Sequence, residues 1–225
     1  MAKTPSELQK RNRKLFQEFF VQDFSNQFLI DLDEMIFREY EKSLDFCSKY
    51  GRKNLRNRAL GYLKYFDGSD SLDRVCNKHS ITCESRTTNG HEGGEYLLAK
   101  THNFLLAFSN NPQVSQKRTE YQKKLASSNA ELGLQQGELE FEETIQRITL
   151  DDERFYVTIG LKTNSQKCSE LVFDVPNADG FSMYRFYLQD LLDVYQQLQS
   201  NPTRSRLDEK ETIVTLRSEI KKGVL

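Results

Sequence analysis

The 225-residue chain carries seven thiol and imidazole side chains, and five of them crowd into one stretch: Cys76, His79, Cys83, His91 and His102. Thiolate and neutral imidazole are the usual ligands of zinc. The spacing Cys76-x2-His79-x3-Cys83-x7-His91 would supply two sulfurs and two nitrogens, enough for a closed structural site. Cys76 and His79 would share a helix face, and Cys83 and His91 would arrive from the loop that follows. Against this, the paired Cys-x2-Cys or His-x3-His knuckle of strong zinc signatures is missing. Cys76 also continues the apolar face of Leu72 and Val75, where a core thiol is the ordinary outcome. The expectation is a chain without a cofactor, with zinc as the alternative.

A second chemistry comes from charge. Residues 49–64 hold six bases (Lys49, Arg52, Lys53, Arg56, Arg58 and Lys64) and no acid, and Lys10, Arg11, Arg13 and Lys14 form a smaller basic group upstream. Such a surface suits a polyanion, and Tyr62 and Tyr65 lie among the bases, where rings stack on exposed nucleobases or, more commonly, fill a core. Residues 131–153 are the reverse, with eight carboxylates against Arg147, and would repel a polyanion.

A metal-dependent nuclease needs carboxylates converging with a lysine. Glu140, Glu142, Asp151, Asp152, Glu170, Asp174 and Lys162 are the raw material, without the Glu-x-Lys pairing such a site favours. Neither a Gly-x-Ser-x-Gly elbow nor a phosphate-cradling glycine loop is present.

The elements that must position these groups begin as helices. Leu8, Leu15, Phe16, Phe19, Phe20 and Phe24 recur at helical spacing behind Thr4-Pro5-Ser6-Glu7, a cap with a proline in the first turn. A second helix starts at the Ser25 cap, runs through Phe28, Leu29, Leu32, Met35, Ile36, Tyr40, Leu44 and Cys47, and stops at Gly51. Leu55, Ala59, Leu60, Leu63 and Phe66 predict the apolar face of a shorter helix. Asp67-Gly68-Ser69-Asp70 is expected to break it, with a new helix from Ser71. In pattern this pair resembles the opening of a helix-turn-helix, but residues 85–94 hold three glycines and no apolar face for a recognition helix.

Tyr96-Leu97-Leu98-Ala99 and Phe104-Leu105-Leu106-Ala107-Phe108 read as strands, and residues 116–126 as a basic amphipathic helix. Leu139, Phe141, Ile145, Ile148 and Leu150, then Phe155, Val157, Ile159 and Leu161, then Leu171, Phe173 and Val175 alternate with polar residues, which predicts a three-stranded antiparallel meander. A helix over Phe181, Tyr184, Leu188, Leu191, Tyr195 and Leu198 would cover it. A last one over residues 208–222 offers a dimerisation arm.

The fold class expected is therefore α+β, in three stretches: helical over 1–80, irregular or mixed over 81–136, and a sheet with covering helices over 137–225, the whole short enough for one compact domain. With 37% hydrophobic and 29% charged residues, a net charge of −1 and no long apolar run, the composition excludes a disordered chain or a membrane-spanning one. Four cysteines without disulfide spacing, and a charged helix close behind the first residues, suit the cytoplasm. The function expected is that of a non-enzymatic nucleic-acid-binding protein of microbial type, DNA before RNA, using the basic helical surface. A metal-dependent nuclease and a dimerising assembly subunit are the alternatives.

Overall fold

The structure, a computed structural model, describes residues 7–88, 94–110, 120–129, 154–164, 167–177 and 179–200. Rings organise its first helix, α1 (Glu7–Asp23): Phe16, Phe19 and Phe20 recur on one face and are fully buried, with Phe24 just beyond the end. Phe20 meets Phe104 edge-on at 5.0 Å between centroids and Phe16 meets Phe155 at 5.4 Å, so α1 lies directly on strands. Ser25 caps α2 (Asn26–Ser48) as expected, its hydroxyl accepting from the Phe28 N–H at 3.1 Å. The stripe of Phe28, Leu29, Leu32, Ile36, Tyr40 and Cys47 is buried, and Cys47 is the core thiol its position predicted.

The expected pair of short helices is instead one helix of 26 residues, α3 (Lys53–Lys78). Gly68 does not break it. A Cβ there would stand 2.3 Å from the ring of Phe108, so the glycine lets helix and sheet approach closely, and tertiary contact overrides the weak local propensity. The helix-turn-helix pattern disappears with the break.

Six strands follow: β1 (Thr82–Thr87), β2 (Glu95–Lys100), β3 (Phe104–Phe108), β4 (Phe155–Asn164), β5 (Lys167–Pro176) and β6 (Ser182–Tyr187). They form one sheet in sequence order, antiparallel throughout except where β3 pairs with β4 in parallel. The stretch expected to be irregular or mixed thus supplies the two expected strands as β2 and β3, the unexpected edge strand β1, and α4 (Glu120–Asn129) where a basic helix was expected. Alternation along β3 to β6 sends Phe104, Leu106, Phe108, Phe155, Val157, Ile159, Leu161, Leu171, Phe173, Val175 and Phe186 into one core with α1, α2, α3 and α5 (Leu188–Ser200). Leu98, Leu105, Ala107 and Tyr156 point the other way, toward Ala126 of α4. The fold is α+β, with helices on both faces of a mostly antiparallel sheet.

The helix expected to begin near Phe181 begins only at Leu188. Residues 182–187 form β6 instead, because Phe186 stacks on Phe173 at 5.8 Å and the strand register carries Tyr184 and Phe186 inward together. Asp190 then receives the Tyr187 N–H at 3.0 Å and starts the helix.

Polar ties lock the layers. The Asp23 carboxylate accepts from the Asn103 N–H and side-chain amide, both at 2.9 Å, and from the Thr101 hydroxyl, fixing the β2–β3 turn to the end of α1. Buried Asn129 donates to the carbonyls of Tyr156 and Pro176 and accepts from the Tyr156 N–H. Among the described residues no helix is long and apolar enough to cross a membrane. The cap at Thr4–Ser6, the strand through Leu139 and Leu150, the helix over 208–222 and His91 lie outside the described residues.

Candidate nucleic-acid interface

The helical period of α3 sorts its residues onto two opposite stripes. Leu60, Lys64, Gly68, Ser71 and Val75 face the sheet, while Leu55, Tyr62 and Phe66 face away from it. Of the face expected to be core, Leu60 is buried and Ala59 and Leu63 pack against the core, while Leu55 and Phe66 lie on the second stripe. That stripe is bare: Leu55 is 54% exposed, Tyr62 57% and Phe66 61%. Phe46, 50% exposed on the last turns of α2, lies across a shallow groove lined also by Leu63, and Tyr50 meets its ring edge-on at 6.0 Å. Single exposed apolar residues are ordinary, but Leu55, Tyr62 and Phe66 bared along one face of α3, with Phe46 and Tyr50 exposed at the end of α2, mark a contact surface.

Cations border these rings. Lys49, which ends α2, holds its Nζ 5.8 Å from the centre of Phe46, and the Arg58 guanidinium lies 6.0 Å from that of Tyr62. Arg52 is the N-cap of α3 and makes no side-chain capping bond. Lys53 follows it, and the first turn has no acid to answer the positive helix end. Lys49, Arg52, Lys53 and Arg58 are all exposed, and among the described residues none meets a carboxylate.

Three of the other basic residues have structural tasks. Arg56 donates to the Tyr50 carbonyl at 3.0 Å and closes the α2–α3 turn, and Lys64 donates to the Leu161 carbonyl at 2.8 Å, tying α3 to β4. Arg13 pairs with Asp190 of α5 at 2.8 Å. Lys14 is exposed on α1, while of Lys10 and Arg11 only the helical backbone is described. The structure therefore brings together four of the ten expected bases, at one end of a helical hairpin, and places Arg56 beneath them.

Acids fix the limits of this surface. Glu39 binds Lys42 at 2.9 Å, which draws its carboxyl below the usual range, and burial pushes the Asp67 carboxyl up despite its hydrogen bond from Ser43. Both line the groove on the side away from Lys49.

Of the expected zinc ligands, Cys76 and Cys83 touch, His79 is engaged by Asp31, and His91 lies outside the described residues. His79 Nε2 lies 2.6 Å from Asp31 Oδ2, and Lys78 holds the same oxygen at 2.7 Å. Cys76 is fully buried as the apolar reading predicted, and its contact with the Cys83 thiol, together with burial, holds it protonated far above the usual thiol range. His102 is exposed in the β2–β3 turn. Among the described residues no three His, Cys, Asp or Glu side chains converge as metal ligands.

Of the expected nuclease residues, the described ones, Lys162, Glu170 and Asp174, do not converge on one point. Lys162 pairs with Glu170 across β4 and β5 at 3.0 Å, and buried Asp174 binds Arg185 at 3.1 Å and the Ser182 hydroxyl. Glu170 and Asp174 sit four residues apart on one strand, about 13 Å at the strand rise. Glu140, Glu142, Asp151 and Asp152 lie outside the described residues.

Comparisons with protein-family models, with curated proteins and with solved structures find no match.

Proposed function

We propose that the protein binds nucleic acid through the open end of the α2–α3 hairpin, without chemistry of its own. One observation supports this most: Lys49, Arg52, Lys53 and Arg58 stand exposed at one end of the fold with no acid among the described residues to neutralise them. Four unpaired cations held this close repel one another, and a phosphate backbone relieves that repulsion while releasing its condensed counterions.

Counterion release sets the test. If four phosphates are neutralised, log affinity falls against log salt with a slope of about −3. Binding of fluorescent oligonucleotides at a series of salt concentrations should give that slope. Replacing Arg52, Lys53 and Arg58 together by Ala should weaken binding at low salt and flatten the slope toward about −1. A slope near zero in the wild type, or a triple variant that binds unchanged, rules the reading out.

A further inference from the structure

We propose that the nucleic acid taken by this surface is single-stranded, its unpaired bases stacking on Phe46, Tyr62 and Phe66 while Lys49, Arg52 and Arg58 hold the phosphates on either side. The inference rests on the nucleic-acid reading above and names the substrate within it.

Three features favour an unpaired strand over a duplex. The outward stripe of α3 is Leu55, Tyr62 and Phe66, whose apolar faces outweigh the few polar groups beside them, Arg58 over the Tyr62 ring and Asn54 a turn away. A helix that reads a duplex groove needs donors and acceptors there, because a duplex exposes edges and hides the faces of its bases. Flat apolar rings match those hidden faces, and they are satisfied only when the bases leave the helix.

Spacing agrees. Tyr62 and Phe66 stand one turn apart, about 6 Å along the helix axis. Successive bases of a duplex strand rise only about 3.4 Å, so neighbouring bases reach both rings only in a strand that has come apart from its own stack.

Charge agrees as well. Further along the hairpin the cations are already paired, Lys42 with Glu39 and Arg74 with Asp70, and Asp67 lines the groove beside Glu39. A stiff duplex laid on α3 would carry its phosphates past these acids, whereas a flexible strand turns away after the cationic end. The chemistry is shared by DNA and RNA, since no group on the stripe is placed to single out a 2′-hydroxyl.

The deciding experiment measures affinity of the full chain for oligothymidine, oligouridine and a duplex of equal length at one salt concentration, for wild type, Tyr62→Ala, Phe66→Ala and Tyr62→Phe. Sedimentation of the protein alone and with phosphatidylserine vesicles is run in parallel. Single strands should bind at least about tenfold tighter than duplex. Each alanine variant should lose about five- to thirtyfold on single strands, a stacking energy of about 1–2 kcal/mol, while Tyr62→Phe keeps wild-type affinity. Because both rings are exposed, thermal melting should show these variants folded as wild type does.

Duplex binding equal to or tighter than single-strand binding, or alanine variants that bind unchanged, overturns the single-strand inference and leaves nucleic-acid binding standing. No binding to any oligonucleotide at low salt overturns both. A wild-type dimer that Phe66→Ala converts to monomer assigns the rings to a second copy of the chain. Vesicle binding that the alanine variants lose, without oligonucleotide binding, assigns them to a lipid surface. Either result overturns the inference.

Discussion

Residues 53–66 of α3 carry seven apolar side chains in fourteen and residues 67–78 only three in twelve, yet the second half is the better buried. Residues 67–78 lie on the sheet: Gly68 sits under Phe108, Leu72, Val75 and Cys76 are fully buried, and Lys78 and His79 tie the end to Asp31 of α2. Residues 53–66 pass beyond the strands. Their last ties to the sheet side are Lys64 to the Leu161 carbonyl and Asn110 to the Gly61 carbonyl, and upstream of these only Leu60 remains buried. The half with a sheet beneath it became scaffold. The half without one left Tyr62 and Phe66 bare and Lys53 and Arg58 without an acid among the described residues, which is what a binding surface requires. An apolar stripe therefore states that a helix has a partner, and only the tertiary structure says whether that partner belongs to the same molecule.

The largest test of this contrast compares two leucines. Leu72→Ala empties a fully buried site and should cost about 3 kcal/mol, while Leu55→Ala should stay within about 0.5 kcal/mol, both read by urea unfolding. Comparable losses at the two positions would mean that the outward stripe is covered after all. Two glycines sharpen the point, because one substitution should change sign along a single helix. Gly68→Ala drives a methyl group into the Phe108 ring and should destabilise by about 2 kcal/mol, while Gly61, with nothing within 4 Å of its Cβ position, should stabilise by about 0.5 kcal/mol on becoming alanine.

How much of this was legible depended on whether neighbours in sequence decide the outcome. Ser25 as a cap, the phenylalanine face of α1 and the alternation of β4 and β5 are local signals, and all three appear in the structure. The α3 glycine was misread because a helix break and a close approach to Phe108, forty residues away, use the same residue. Strand β6 was misread because Phe181, Tyr184 and Leu188 fit a helical period, while the decisive contact, Phe186 on Phe173, is made across the sheet. Strand β1, Thr-Cys-Glu-Ser-Arg-Thr, is an edge strand with little buried surface, so it has almost no pattern to read. At the site, charge located the cations, since a run of six bases without an acid is visible in one dimension. Leu55 and Phe66 were placed with Leu60 and Leu63 on one apolar face and Tyr62 was left between stacking and core, because periodicity fixes which residues share a face and leaves the direction of that face open.

The smallest expected effect concerns the closed end of the hairpin. Asp31 Oδ2 lies 2.7 Å from Lys78 Nζ and 2.6 Å from His79 Nε2, and these two hydrogen bonds hold its carboxyl well below the usual aspartate pKa of 3.8. A carboxyl more acidic in the fold than in the unfolded chain adds stability above the ordinary value and loses it as pH falls. Asp31→Asn should therefore cost about 1 kcal/mol at neutral pH, the scale of a charged hydrogen bond at a partly solvated site. The gap from wild type should then narrow steadily as unfolding is repeated at pH values below 3.8. Arg52→Ala or Lys53→Ala, at the open end, removes no acid partner and should leave stability within about 0.5 kcal/mol at every pH. If Asp31→Asn were as silent as these, the two ends of α3 would differ in what lies beneath them and not in how they are tied. The charges at residues 49–58 could then no longer be set apart by their lack of a partner, because losing a partner at the other end would carry no measurable cost.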